Sequence, residues 1–515
     1  MPARMQIAGQ ARSSVVLLAL ALGIGLAIAR LPLPMAAGLL VVAAVALLTI
    51  FNPLFGLGLA LLLGPFGALE KVILGDSLFD SGQLSLLLTL AVWIASGMAR
   101  RRLVIPRVSF NLPWFLFVIV ASFSLPGAAS IELGLIELLK WLEIGLIVWL
   151  IVDLASDPDR GSPGFPAVMR TILALLFIAG SVQALIGIWQ FGLRGHGPEH
   201  FLVLSRFYRA YGTFEQPNPF GGYMNLFALL AIGTALGLGI DWIRRRRGAV
   251  QSGHLTPFRL WFSFALFCVV VGSLALILSW SRGAWLGFLA GAIVCALFVT
   301  RRFWLGALFV STAVVLVMGG LAIGLNVRFA PAEAVVGRLG GFREEFALGD
   351  VRGVDINDEN YAVIERLAHW QAAVGMTRDN LWTGVGFGNY AAAYPGYDLL
   401  NFPDALGHAH NYYLNLLAET GLPGLVAYLI FWLAIAAQTI RMIRLLAWPE
   451  RGVAVGLLAA WVALATHHLV DKLYVNNIYV HVGVMFGLLQ LFGWPGFWTG
   501  GEQRLLQNHV DPVKF

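Results

Sequence analysis

The sequence predicts an all-α, polytopic membrane protein with about 12–14 transmembrane helices. Three observations carry that prediction. Hydrophobic residues make up 59% of the chain and charged residues only 12%, against roughly a quarter charged in a soluble domain. Apolar runs of about 17–25 residues recur from end to end, long enough to cross a hydrocarbon core of about 30 Å. Within lipid the backbone must satisfy its own polar groups, so such runs are helices. The short alternating segments of a transmembrane barrel are absent from the sequence.

The spans begin near Ser14, Met35, Leu54, Gly82, Asn111, Glu137, Ala167, Pro219, Arg259, Trp285, Phe303, Leu422, Val453 and Tyr479. The first is read as an uncleaved helix, because no small-residue cleavage site follows it. Short basic loops set the orientation. Arg100, Arg101, Arg102 and Arg107 form one, Arg244 to Arg247 a second, Arg301 and Arg302 a third, and Arg441, Arg444 and Arg451 a fourth. With a cytoplasmic N-terminus and fourteen spans, all four lie on the cytoplasmic side. The net charge of +6 is accounted for in this way, and no nucleic-acid partner is expected. Cys268 and Cys295 lie in apolar runs and read as core residues.

Residues 1–325 are therefore spans with short loops, 326–411 a large outward segment before the third-last span, 412–495 a short outward helix followed by the last spans, and 496–515 a cytoplasmic tail. The large segment is acid-rich and carries six arginines, Arg366 and Arg378 among them. Its length implies that it is partly folded. Tyr361, Ile364, Leu367 and Ala372 have helical spacing, so a helix is expected over Tyr361 to Met376. Gly384-Val385-Gly386-Phe387-Gly388-Asn389 is a turn-rich strip, with no βαβ unit around it to make a dinucleotide site.

The ionisable groups at the outer edge are the candidates for chemistry. In His408-Ala409-His410-Asn411, Asn411 is placed as an N-cap, Gly421 as the left-handed residue after a helix end, and Pro423 as the first turn of the next span. Tyr412 to Thr420 is then a short outward helix, with His410 at its start. A neutral imidazole there can accept a hydroxyl proton, and the positive helix end favours the neutral form. A loop cap is the plainer reading of a lone histidine. Arg282 lies in Ser279-Trp280-Ser281-Arg282-Gly283, with no acid near it in sequence. It fits a phosphate or pyrophosphate through its fork of donors, or equally a side chain snorkelling to the headgroups. Arg206 and Arg209 stand among aromatic residues before Pro219. Glu137, Lys140 and Glu143 are neighbours on one helix face and read first as a structural ion pair. His467, His468, Asp471 and Lys472 form a further polar turn. The cysteine and histidine spacings of a zinc site are missing, and no metal or cofactor is expected.

Arg282-Gly283-Ala284-Trp285-Leu286 resembles the R-x3-L motif of the O-antigen ligase and O-antigen polymerase superfamily. His410-Asn411, nine residues, then Gly421-Leu422-Pro423-Gly424 is similar to its H-[NSQ]-x9-G-x-x-G motif. Arg209, Gly212, Phe214, Pro217 and Asn218 match a further segment of that group. The resemblance covers about Arg209 to Gly424, and fourteen spans exceed the twelve usual in the ligases.

The resemblance implies a metal-independent, inverting C-type glycosyltransferase of the bacterial inner membrane, without a cofactor. It would transfer a glycan from an undecaprenyl-pyrophosphate carrier to the hydroxyl of an acceptor glycolipid, glycan or glycoprotein in the periplasm. His410 would be the base, Arg282 and Arg209 would bind the pyrophosphate, and Asn411 and Gly421 would support the histidine. A polymerase of the same superfamily and a small-anion transporter (bicarbonate-like) are the alternatives. A transporter should show repeats and broken, charged helices at mid-membrane, and the sequence shows neither clearly.

Overall fold

A computed structural model describes residues 30–75, 79–102, 105–156, 164–247, 258–300, 361–399 and 401–494, with Gly25, Gly306, Val351 and Ile356 as single residues. It is an all-α polytopic membrane protein. The helices are α1 (Leu33–Phe51), α2 (Pro53–Leu63), α3 (Gly67–Leu74), α4 (Ser81–Ala99), α5 (Asn111–Ser122), α6 (Ile131–Ser156), α7 (Gly164–Gly192), α8 (Pro217–Arg246), α9 (Phe258–Leu278) and α10 (Arg282–Phe298). After them come α11 (Tyr361–Asp379), the short α12 (Tyr390–Ala393), α13 (Tyr412–Leu445), α14 (Glu450–His467) and α15 (Ile478–Gly493).

Among the described residues, seven helical stretches are long and apolar enough to cross a membrane, and three shorter ones are also apolar. Among the described residues, helices coincide with every expected span; the spans expected from Ser14 and from Phe303 lie outside them, as do most of residues 326–360 and the tail 496–515. The expected helix over Tyr361 to Met376 is α11.

The chain divides into two units, one of residues 1–59 with 85–103 and one of 60–84 with 104–515. In the first, Gly56 lies against the side chains of Thr49 and Thr89. Both hydroxyls bond back to their own helices, at Val45 O (2.8 Å) and Ser85 O (2.7 Å).

The second unit is built around α8 and α14, whose backbones touch at Gly233 and Gly237 on one side and Gly452 and Gly456 on the other. Small residues four apart let two membrane helices approach closely, where dispersion replaces the missing hydrophobic drive. The face Gly283, Gly287, Gly291 does the same for α10 against α14, meeting His467, Ala463 O and Ala459 O. This packing carries the start of α10 to the end of α14.

Between α7 and α8 a two-stranded hairpin pairs Leu202 with Tyr208 and Val203 with Phe207. Its turn residues Leu204 and Ser205 have φ of 52° and 54°, the backbone a tight hairpin needs. Between α10 and α13 the chain has a core of its own, in which Ile364, Leu367, Trp370 and Phe402 pack together and Met376, Tyr390, Tyr394 and Ala409 pack with Ala418 of α13.

The sequence reading ends one helix at Gly421 and starts another at Pro423. The structure has that break: α13 is two helical pieces that meet at a kink at Gly421, whose φ is 66° and ψ −173°. This is a positive φ, but outside the left-handed helical well. The hydrogen-bond accounting explains how the break is tolerated. Pro423 has no N–H for the carbonyl of Glu419, and Leu422 N–H turns to Leu381 O (2.8 Å), so the carbonyls of Ala418 and Glu419 lose their helical donors. The strip fills both places: Val385 N–H donates to Ala418 O and Gly386 N–H to Glu419 O, each at 2.9 Å. A Cβ at Gly421 would meet Leu381 O at 2.6 Å, so the strip lies against bare backbone.

Candidate active site

The histidine loop is held from three sides. Asn411 caps α13 by accepting from Leu414 N–H (3.1 Å). Asn415, fully buried, accepts from Ala409 N–H (3.1 Å). Tyr412 N–H donates to His468 O (2.8 Å), tying the loop to the turn after α14. Under these restraints His410 takes a φ of 51°, a conformation that costs a non-glycine residue energy and recurs at functional sites.

The backbone N–H of His410 donates to Nδ1 of His408 (3.0 Å). An accepting Nδ1 leaves the proton of neutral His408 on Nε2, the atom that faces Asp471 Oδ1 at 3.7 Å. The rings of His408 and His410 are 4.5 Å apart, and that of His369 from α11 is 5.6 Å from His410. Nε2 of His410 is buried and has no hydrogen-bond partner.

Burial lowers the pKa of His410 to about 3, with His408, Arg366 and His369 adding to the shift and Asp471 opposing it. His408 is lowered to about 3 by burial and then by Lys472, His369 and Arg366. Both rings are neutral at physiological pH. His410 is thus a neutral, buried imidazole with an unpartnered Nε2, the form in which a histidine can act as a general base.

The arginine motif is built at the start of α10. Ser281 caps the helix, its hydroxyl accepting from Ala284 N–H (3.4 Å) and donating to Asn218 Oδ1 (2.8 Å). Asn218 Oδ1 also accepts from Arg209 Nη2 (3.3 Å), and Arg209 Nε donates to Ser279 O (3.0 Å). The hairpin feeds this arrangement, since Arg209 N–H bonds Phe201 O (2.9 Å). Arg209 therefore lies beside the helix end that begins with Arg282.

The two motifs are linked through the turn 467–472. Gly283, next to Arg282, lies against His467 and Val470, and Asp471 faces His408. Asp471 and Arg366 are charged groups whose fields act on the His410 ring.

The polar stripe of α6 joins the same turn. Glu137 Oε2 pairs with Lys140 at 2.7 Å and Glu137 Oε1 with Lys472 at 3.3 Å. Burial works against the charge on Lys472, but Glu137 and then Glu419 outweigh it and raise its pKa. Glu419 accepts from Tyr390 N–H (3.2 Å), so the strip, α13, α6 and the turn share one buried network.

The ligand atoms of His408, His410 and Asp471 lie within 4.8 Å of one another, a grouping that can hold a metal ion. Lys472 and Arg366, which already lower the His408 pKa, act against a cation there. The absence of a metal remains an expectation from the resemblance.

The sequence offers Asp471 only as part of a polar turn, and it gives neither Arg366 nor His408 a role in the site. His408 precedes the motif by two residues, and its use shows only in the bond to His410. Arg366 was one of six arginines in the large segment, and helical spacing alone did not say which face of α11 it takes.

Residues 267–429 match the family model described as O-antigen ligase. No curated protein matches the chain. The matched stretch runs from α9 through the arginine motif and the histidine loop into α13, so this part of the chain is similar to the O-antigen ligase family.

Proposed function

We propose that the protein transfers a glycan from an undecaprenyl-pyrophosphate carrier to an acceptor hydroxyl, at the periplasmic face of the bacterial inner membrane, by an inverting mechanism that needs no metal. The single observation that carries this reading is Nε2 of His410, neutral, buried and unpartnered, on a backbone held in a costly conformation. The arginine motif beside the same turn supports it.

In the proposed step His410 Nε2 takes the proton of the acceptor hydroxyl. The oxygen attacks the anomeric carbon from the side opposite the carrier. One carbon–oxygen bond forms, the bond to the carrier phosphate breaks, and the electron pair leaves with the pyrophosphate. Arg282 and Arg209 stabilise the charge growing there, as preorganised donors do. Asp471 and the neutral His408 lie where the new imidazolium develops. Asn411 and Gly421 support this by fixing the loop and the strip.

The test is reconstitution in vesicles with a carrier-linked glycan and a candidate acceptor. Glycan on the acceptor is the expected product; longer carrier-linked chains would instead identify a polymerase. His410→Ala should lose transfer while inserting normally, and wild-type transfer by that variant would overturn the assignment of the base. Transfer should survive a chelator; loss that returns with added metal would place an ion at His408, His410 and Asp471.

A further inference from the structure

Lys140 and Glu143, on the polar stripe of α6, have no part in the proposed transfer step. They line a cavity of about 490 Å³ bounded by α6, α15 and the residues Phe79 and Gln83. One wall is Leu135, Ile136 and Leu139, which are 53%, 47% and 37% exposed in the first half of a helix whose second half is packed in the bundle. The opposite wall is polar, with Gln83, Lys140, Glu143 and Tyr479. Through Gln83, Lys140 and Tyr479 it joins a second cavity of about 280 Å³, which reaches Asp80, Asn476 and Tyr474.

The polar groups are already oriented. Tyr479 donates to Glu143 (2.7 Å), Asn477 to Asp80 (2.6 Å) and Lys140 to Glu137 (2.7 Å). Each carboxylate, amide and phenol keeps capacity for further bonds. Lipid tails cannot use that capacity, so an apolar wall facing a polar one calls for an amphiphile. Charge decides the kind of head group. The carboxylates of Glu132, Glu143, Asp80 and Glu215 outnumber Lys71 and Lys140, and Lys140 is held by Glu137. A phosphate would meet net repulsion, while sugar hydroxyls can bond carboxylates and amides alike.

The joined cleft also adjoins the candidate active site. Glu137 binds Lys140 with one oxygen and Lys472, next to Asp471, with the other. The ring of Tyr474 is 5.0 Å from those of Tyr412 and His468.

We propose that this cleft docks a membrane-anchored amphiphile with an uncharged sugar head, as the acceptor, its chain lying along Leu135, Ile136 and Leu139. Only the word acceptor rests on the glycan-transfer reading. The binding does not.

The full chain in lipid nanodiscs is labelled with an alkyl maltoside carrying a diazirine in its tail. Saturable labelling of α6 peptides is expected, competed by unlabelled alkyl maltoside and not by an alkyl phosphate of equal length. Leu139→Trp, which fills the apolar wall, should raise the half-saturating concentration about tenfold or more, the scale on which an apolar slot discriminates. Glu143→Gln, which alters the polar wall without adding bulk, should weaken labelling as well. Binding of a prenyl pyrophosphate should be unchanged in both, which also shows that they fold. Unsaturable labelling spread over lipid-facing helices, wild-type labelling in both variants, or equal competition by the phosphate would overturn the site. Saturable labelling with Leu139→Trp still transferring at the wild-type KM for acceptor would overturn the acceptor role. If His410→Ala transfers normally while labelling persists, the transfer reading falls and the cleft stands.

Discussion

His410 owes its character to where its backbone is held. A solvent-exposed histidine would be half protonated near pH 6.5, whereas burial brings His410 to about 3. A base works above its pKa, so transfer should be constant from pH 8 down to about 5, and its acid limb should lie at about 3. A limb near 6.5 in a pH profile of kcat/KM would contradict the structure. The same shifts set a stability trend. Below 6.5 the unfolded chain binds protons that folded His408 and His410 refuse, so thermal stability in detergent should fall as pH drops from 6.5 toward 3. Arg282→Lys should lower transfer by about 10²–10³-fold, comparable to losing one preorganised donor, because an ammonium is not a fork. Histidine and arginine were legible in the sequence because each lies in a short motif at an apolar edge. Asp471 was legible only as part of a polar turn. Its position opposite His408 follows from the bond of Tyr412 N–H to His468 O, which ties the histidine loop to the turn after α14.

The helices were legible because hydropathy and length suffice for a span. The kink in α13 was legible only in part. Gly421 and Pro423 mark the break that the structure has, but the donors that satisfy the carbonyls left open there come from Val385 and Gly386, and no local pattern links them to it. Gly421→Ala should therefore cost about 1–3 kcal/mol from its positive φ alone, and more from the clash with Leu381 O. Thermal unfolding should report the loss, together with faster proteolysis around 381–390. Gly287→Val tests the other seam. Its side chain would meet Ala463 O, at 2.8 Å from the Cβ, forcing α10 away from α14. Transfer should drop while His410 keeps its surroundings, and unchanged transfer would mean that the approach of Arg282 to the turn is not needed.

Across the whole molecule, the distribution of arginines sets the proposed orientation. Cys268 and Cys295 are buried and should stay unlabelled, so single cysteines can report sidedness. Trp382→Cys, at a residue 69% exposed, should react with an impermeant maleimide in cells with a permeabilised outer membrane. Arg101→Cys should react only after lysis, and the reverse pattern would invert the topology. Charge in the loops gives that orientation as an expectation, whereas the joining of α6, α13 and the turn 467–472 into one ionic network was not legible in the sequence, because ion pairs across a bundle follow from helix packing and not from spacing. The backbone exchange at the kink carries a consequence for modularity. The chain between α10 and α13 is no detachable accessory: its strip supplies donors that a spanning helix would otherwise lack. Two carbonyls stripped of partners in an apolar setting would each cost on the order of 1–3 kcal/mol. A chimera that grafts this segment from a relative must therefore bring its own Gly421–Pro423 turn with it, so that recipient and graft are inherited as a single piece.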